Sequence, residues 1–497
     1  MENKRKILVF NSLAGEKQEF KPIQEGRIGM YVCGPTVYSN AHLGNCRTYV
    51  SFDVIFRFLK HLGYSVRYVR NITDVGHLLD DGEDRMLKGA RLEQLEPMEI
   101  AQKYANGFHE MMRIFNIQNP SIEPLATGHI IEQIEMVKEI LERGFAYEKN
   151  GSVYFNTIRY IQSGNPYGEL SGRVVEDLMA ESRDNLKNQD EKNHPSDFAI
   201  WMKASDEHIM KWPSPWSVGF PGWHLECSAM SKKYLGEQFD IHGGGNDLKF
   251  PHHENEIAQS VGSCGHSPAN YWLHTNMLLL NGRKMSKSEG NTISPEQLFT
   301  GESKFISKAY SPMSVRFFML QAHYRSTLDI TDEGLQAGEK GFKRLMDALA
   351  TSKNVQPELS SNSAPKDELV SEIIEQIYSD LCDDFNAPKA IANLFEMAGL
   401  INSIANKQIA STEISQYAWE KLKDHFSFFI IDILGLKDES SEANENTTNG
   451  LMQLIIELRK DVRERKDWAG SDKIRDGLKE LGIQLKDGKE GTDWSRI

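Results

Sequence analysis

The sequence predicts an α/β protein: a doubly wound, Rossmann-type domain with an insertion between its halves, followed by a helical bundle and a small C-terminal α/β module. Three stretches carry that prediction. In the first, Tyr31 and Val32 end an apolar strand, Gly34 and Pro35 force a turn, and the run from Ala41 onward begins a helix. In the second, Leu43 to Leu62 places Tyr49, Phe52, Val54, Ile55, Phe58, Leu59 and Leu62 on one apolar face, stops at Gly63, and gives way to the strand-like alternation of Ser65 to Asn71. The third repeats the theme, with Phe239 to His242 as a strand, HGGGND as a turn, Pro251 to Val261 as a helix and Tyr271 to Leu280 as a further strand.

The rest of the chain is divided around these halves. Residues 1–119 form the first half of the sheet domain, 120–213 the insertion and 214–300 the second half. Helical patterns run from Pro97 to Phe115 and from His129 to Gly144, with Pro120 and Pro124 between them, and Gly151 to Phe155 reads as a strand. Residues 301–437 are helical by apolar spacing from Val315 to Ala350 and from Glu368 to Leu434. The low-complexity stretch 438–450, DESSEANENTTNG, is expected to be a linker, and 451–497 a terminal module.

A chain of 497 residues exceeds one hydrophobic core. The N-terminus MENKRKILVF has no apolar signal segment, and no run approaches the length of a membrane span, so a cytoplasmic location is expected. Five widely spread cysteines without disulfide-like spacing point to reduced thiols. A net charge of -14 excludes a protein that coats nucleic acid indiscriminately, because phosphate backbones are held by Lys and Arg. Docking of a folded RNA at a few basic patches stays open, and the nearly balanced charges of 451–497 make that end the least repelling surface.

A strand-turn-helix unit leaves backbone N–H groups unpaired at the positive end of its helix and favours a phosphate there. Thr36 and His42 stand at that turn, and Cys33 at its mouth. A small basic loop, GRKMSKS from Gly282 to Ser288, follows the apolar segment Met277 to Leu280. His42-Leu-Gly-Asn45 and Lys284-Met-Ser-Lys-Ser288 together resemble the two signatures of class I aminoacyl-tRNA synthetases. GWHLECSAM at Gly222 to Met230, FDIHGGGNDLKFPHHENE at Phe239 to Glu256 and HYRSTLDIT at His323 to Thr331 narrow the resemblance to the cysteinyl-tRNA synthetase family, over nearly the whole chain.

That resemblance implies an ATP-dependent ligase that charges tRNA(Cys) with L-cysteine through a cysteinyl-adenylate, with Mg2+ accompanying ATP. His42, Lys284 and Lys287 would be catalytic, Lys287 being the ATP-contacting lysine of the loop. Thr36, His42, Asn45, Gly244, Asp247 and Lys287 would bind ATP. Asn45 departs from the family, whose first signature usually ends in histidine; Asn donates a hydrogen bond but carries no charge. Trp223 and His224 would line the amino-acid pocket; Thr73 and Asp74, at a strand end on the same edge, suit either the substrate ammonium or capping of that strand. The insertion would receive the acceptor end of the tRNA. Residues 302–311 are longer than the family's usual connection.

A metal site is not announced by spacing, since no CxxC occurs. His252 and Glu256, four apart on a predicted helix, share a face, and His253 is expected to point elsewhere. The resemblance implies that Cys33, Cys227, His252 and Glu256 bind one zinc. Zinc prefers thiolate to hydroxyl, with Zn–S near ~2.3 Å, so such a site separates cysteine from serine without a separate editing domain. In the terminal module, Trp468 among basic residues suits stacking on an unpaired base. The resemblance makes Arg463, Trp468 and Asp472 candidates for reading a GCA anticodon, and a monomer is expected. Two rival readings are a ligase of the same catalytic fold joining cysteine to an amino sugar, against which 451–497 counts, and a zinc-stabilised RNA-binding protein, against which Lys284 to Ser288 counts.

Overall fold

The structure is a computed structural model and describes residues 5–76, 95–173, 191–206, 208–286, 289–355, 357, 359–481, 483–487 and 492–496. It forms two compact units, 1–436 and 437–497.

The first unit is organised by a four-stranded parallel sheet. Strand β1 (Arg27–Val32) leads through the signature turn into helix α1 (Leu43–His61) and returns as β2 (Ser65–Arg70). Helix α2 (Trp223–Leu235), strand β3 (Phe239–Gly245), helix α3 (Glu254–Cys264) and strand β4 (Ala269–Thr275) supply the second half. The order across the sheet is β4-β3-β1-β2, all parallel, so the strand order reverses between β1 and β3. Ligands of doubly wound sheets collect at that reversal, beyond the carboxyl ends of the strands. Close packing there depends on small residues: a Cβ on Gly34 would lie 1.5 Å from the carbonyl oxygen of Asn71, and one on Gly243 would lie 2.2 Å from the ring of Phe52. The three glycines read as a turn after His242 therefore belong to the end of β3, where Gly243 lets Phe52 of α1 approach and Gly244 leaves room for His253.

Between the halves, an antiparallel sheet runs in the order Ala146–Lys149, Ser152–Phe155, Phe198–Lys203, Val218–Pro221, Trp212–Pro213. Val218–Pro221 lies past the boundary expected at 213, yet it pairs with Phe198–Lys203, because Gly219 lets its backbone lie against Met202. The region expected to be continuously helical after Val315 contains a strand, Leu328–Ile330, flanked by helices Pro312–Leu320 and Asp332–Asn354. Three residues are too few to show a period, and its parallel partner Leu278–Leu280 lies some fifty residues earlier. The longer connection 302–311 is clamped down: Asp332 accepts from Ser307 N at 3.0 Å and from the Tyr310 hydroxyl at 2.6 Å, bonds that hold its carboxyl down to about 2.

Helices Asp367–Cys382, Ala387–Ala405 and Gln416–Phe428 close the first unit as a bundle. Helix Pro312–Leu320 is keyed to α1 by a fully buried ion pair, Arg316 with Asp53. The second unit holds helices Ser440–Glu464 and Trp468–Glu480 and an antiparallel pair, Ile483–Asp487 with Thr492–Arg496. Residues 438–450, expected as a linker, are helical from Ser440 onward. Polar composition there is compatible with helix, because the apolar segment Leu451–Ile456 that follows continues the same turns. Among the described residues, no helix is long and apolar enough to cross a membrane.

Candidate active site

The signature turn is built as the sequence suggests, with one addition. His42 caps α1, its Nδ1 accepting from Asn45 N at 3.2 Å, while Asn45 Oδ1 accepts from His42 N at 3.1 Å. This is a reciprocal capping box, which leaves the first turn rigid and His42 exposed at its tip. Asn45 thus orients His42 and the helix end, a role a histidine at this position would fill differently. Thr36 bridges to Thr73 across the turn. Gly34 N is taken by Asn71 Oδ1 at 2.8 Å.

Directly beyond β1 and β3 lies a buried cluster. Ligand atoms of Cys33, Cys227, His252 and Glu256 all lie within 4.8 Å of one another. Cys33 Sγ is 3.7 Å from Cys227 Sγ and 3.6 Å from Glu256 Oε1, and His252 Nε2 is 3.2 Å from Glu256 Oε1. Every cysteine among the described residues is a free thiol. The donor set fits a soft divalent cation: two sulfurs, one imidazole and one carboxylate at tetrahedral-sized separations. Burial, with the neighbouring Cys227, pushes the Cys33 thiol well up, so a cation is what would make thiolates favourable here.

His253, expected to point elsewhere, stands 3.3 Å from Cys33 Sγ. It lies three residues from Glu256, and that spacing shares a helical face nearly as well as four. His242 Nε2 holds the other oxygen of Glu256 at 2.8 Å, so Cys33, His242, His253 and Glu256 also come together. His253 Nδ1 continues to His274 Nε2 at 2.8 Å, and His274 Nδ1 to Ser12 Oγ at 2.8 Å. Sequence reasoning missed these outer histidines. Their only linear signal is the density of histidine at strand ends, His242 on β3 and His274 on β4.

Of the pocket candidates, Trp223 and His224 stand beside His252. The Trp223 ring lies 4.6 Å from that of His252, and His224 Nδ1 is 2.9 Å from His252 Nδ1. Trp223 opens α2, so Cys227 follows one turn later on the same face. Thr73 and Asp74 are placed differently from free ammonium ligands. Thr73 Oγ1 donates to the buried Glu226 at 2.8 Å, and Asp74 accepts from Thr127 N at 2.9 Å and Oγ1 at 2.6 Å. Burial raises the Asp74 carboxyl. Gly244 lies in β3 against His253, and Asp247 is exposed just beyond the strand.

Lys284 is exposed on a hairpin. Leu278–Leu280 and Arg283–Lys284 are joined by Asn281 and Gly282, both at positive φ, the two-residue turn that Asn-Gly favours. Asp329 anchors the turn, both its oxygens accepting from Gly282 N at 2.9 Å. Lys287 and Ser288 lie outside the described residues. In the second unit, Trp468 is 60% exposed at the start of its helix, which makes it available for stacking. Asp472, one turn on, pairs with Arg475 at 2.9 Å, and Arg463 sits in the last turn of the preceding helix.

A split parallel sheet with a histidine-capped helix and a lysine hairpin at one edge defines a class I aminoacyl-tRNA synthetase, and residues 19–340 match the model of the class I (C) tRNA synthetase catalytic domain. Residues 376–436 match the DALR domain. The chain belongs to the cysteine–tRNA ligase family. A Phocaeicola vulgatus protein of that name is 52% identical over 99% of both chains, and a Bacteroides thetaiotaomicron one is 50% identical over 98% of both. In fold alone it resembles a Mycobacterium tuberculosis methionyl-tRNA synthetase in complex with methionyl-adenylate, at TM-score 0.59 and 14% identity over 82% of this chain and 92% of that one.

Proposed function

We propose that this enzyme activates L-cysteine with ATP and Mg2+ as cysteinyl-adenylate, transfers it to tRNA(Cys), and selects the amino acid with one zinc held by Cys33, Cys227, His252 and Glu256. The observation that carries this reading is the meeting of those four buried donors, drawn from three separate stretches of the chain. In activation, a cysteine carboxylate oxygen bonds to the α-phosphorus of ATP while the bond to the bridging oxygen breaks, and pyrophosphate leaves with that electron pair. Positioning and charge neutralisation supply most of the acceleration. His42 and the N–H groups at the α1 terminus face the phosphates, Thr36 and Asn45 support that end, and Gly244 and Asp247 border the adenosine. Lys284 and Lys287 stabilise departing pyrophosphate.

Zinc, when bound, supplies a soft centre that bonds sulfur in preference to oxygen. The chain's own part is to present two thiolates with a carboxylate and an imidazole, and to close the pocket with Trp223 and His224. The insertion receives the acceptor end of the tRNA, while Arg463, Trp468 and Asp472 read the GCA anticodon; a cytoplasmic monomer completes the proposal.

The test pairs metal analysis with cysteine-dependent ATP–pyrophosphate exchange in the absence of tRNA. One zinc per chain and exchange that serine does not support are expected; exchange without metal sinks the zinc assignment. Separately, Trp468→Ala is expected to raise the KM for tRNA about tenfold, the loss of one base stack, with exchange unchanged. An unaltered KM would remove Trp468 from the anticodon site.

A further inference from the structure

We infer that Arg47 is a positioning residue that sets the distance between the capped end of α1 and the lysine hairpin; the inference rests on the proposed function. Arg47 is 1% exposed and lies in the first turns of α1, two residues after Asn45. Its guanidinium donates to four backbone carbonyls on two separate segments. Nη1 reaches Asn276 O at 3.0 Å and Met277 O at 2.8 Å, and Nη2 reaches His323 O at 3.2 Å and also Ser326 O. Among the described residues, no carboxylate pairs with it, and burial brings its pKa down to about 10.

Both segments matter to the hairpin. Asn276 and Met277 are the joint between β4 and Leu278–Leu280, the strand that leads through Asn281-Gly282 to Lys284. His323 to Ser326 precede Leu328–Ile330, which pairs beside that same strand. Asn276 is held from the other side as well, its N donating to Tyr324 O at 2.8 Å and its Nδ2 to Arg325 O at 2.8 Å. Thr48 adds a second tie, its hydroxyl 2.8 Å from that of Thr275.

A buried cation without an anion is an expensive way to hold packing alone, and an apolar residue of similar volume would fill the space. What a planar fork adds is simultaneous grip on carbonyls in fixed directions. That grip locks the helix end carrying His42 to the joint that aims Lys284. The two groups must meet one triphosphate, and a displacement near 1 Å at such a site reduces rate on the order of 10²-fold.

Arg47→Lys keeps the charge and loses the fork. With rates normalised to titrated active sites, kcat for cysteine-dependent exchange is expected to fall about 10²-fold while the KM for cysteine stays within about twofold. Asn276→Ala, which loosens the same joint, should give the same split, and the double variant should be little worse than either single one. An Arg47→Lys enzyme with unchanged kcat per site, or one whose loss lies in the KM for cysteine, overturns the inference. If Arg47→Lys proves too unstable to assay, the Asn276→Ala split alone decides it in the same way. Absence of exchange in the unaltered protein would instead overturn the proposed function, so the two failures are distinguishable.

Discussion

Replacing Cys227 by Ser is expected to strip the zinc and abolish cysteine activation, with metal content falling from one per chain to well below that and exchange dropping about 10⁴-fold. Cys227 is 2% exposed and 3.7 Å from Cys33. A serine there keeps the volume within one atom but stays protonated, so the donor set loses a thiolate and a negative charge together. The side chain sits on the buried face of α2, where Ser is accommodated without a cavity, so the fold should persist. Circular dichroism unchanged from the parent, with metal measured on the same sample, separates loss of site from loss of structure. Whatever activation remains should discriminate cysteine from serine by no more than the ~10² that pocket shape provides. Retained selectivity at the original level, with zinc gone, would refute the assignment of the metal to substrate recognition.

The largest structural effect is expected at Asp53. One oxygen of this buried carboxylate accepts from Arg57 Nε at 2.8 Å and from Arg316 Nη2 at 2.5 Å, and the other accepts from Gln118 N at 2.8 Å. Arg316 is wholly buried, its other donors held by Leu434 O at 2.8 Å and Phe115 O at 2.7 Å, and burial already lowers its pKa. Asp53→Ala leaves that cation in place without a counter-charge, a change that destabilises by about 3–5 kcal/mol. Because the urea slope grows with the surface exposed, the unfolding midpoint of a unit this large should move down by on the order of half a molar or more. Replacing Asp53 and Arg316 together by apolar residues should recover much of the loss. A midpoint within experimental error of the parent would mean that the pair is solvated and keys nothing.

Much of the sheet domain was legible in the linear chain because its signals are local. Tyr31-Val32, Gly34-Pro35 and the apolar face of Leu43 to Leu62 specify a strand, a turn and a helix within one stretch. Cys33, Cys227, His252 and Glu256 come together, although His252 and Glu256 were the only two of them close enough in sequence to be paired by spacing. What misled was equally local. HGGGND reads as a turn by composition, yet the glycines complete a strand, Gly243 leaving room for Phe52 and Gly244 for His253. Polar 438–450 reads as a linker, yet it winds as helix.

Residue types and their periods, by themselves, determined that this chain folds around a parallel sheet with a helix opening directly after its first strand, and that thiols, imidazoles and lysines were available for chemistry. Only the tertiary structure decided which of them meet. It drew His253, His242 and His274 in around Cys33 and passed Arg47 through to the joint of the lysine hairpin. The reason is one of range: propensity and periodicity act over a few residues, whereas these contacts join segments from tens to more than two hundred positions apart, whose approach is fixed by strand order and packing rather than by any neighbouring sequence.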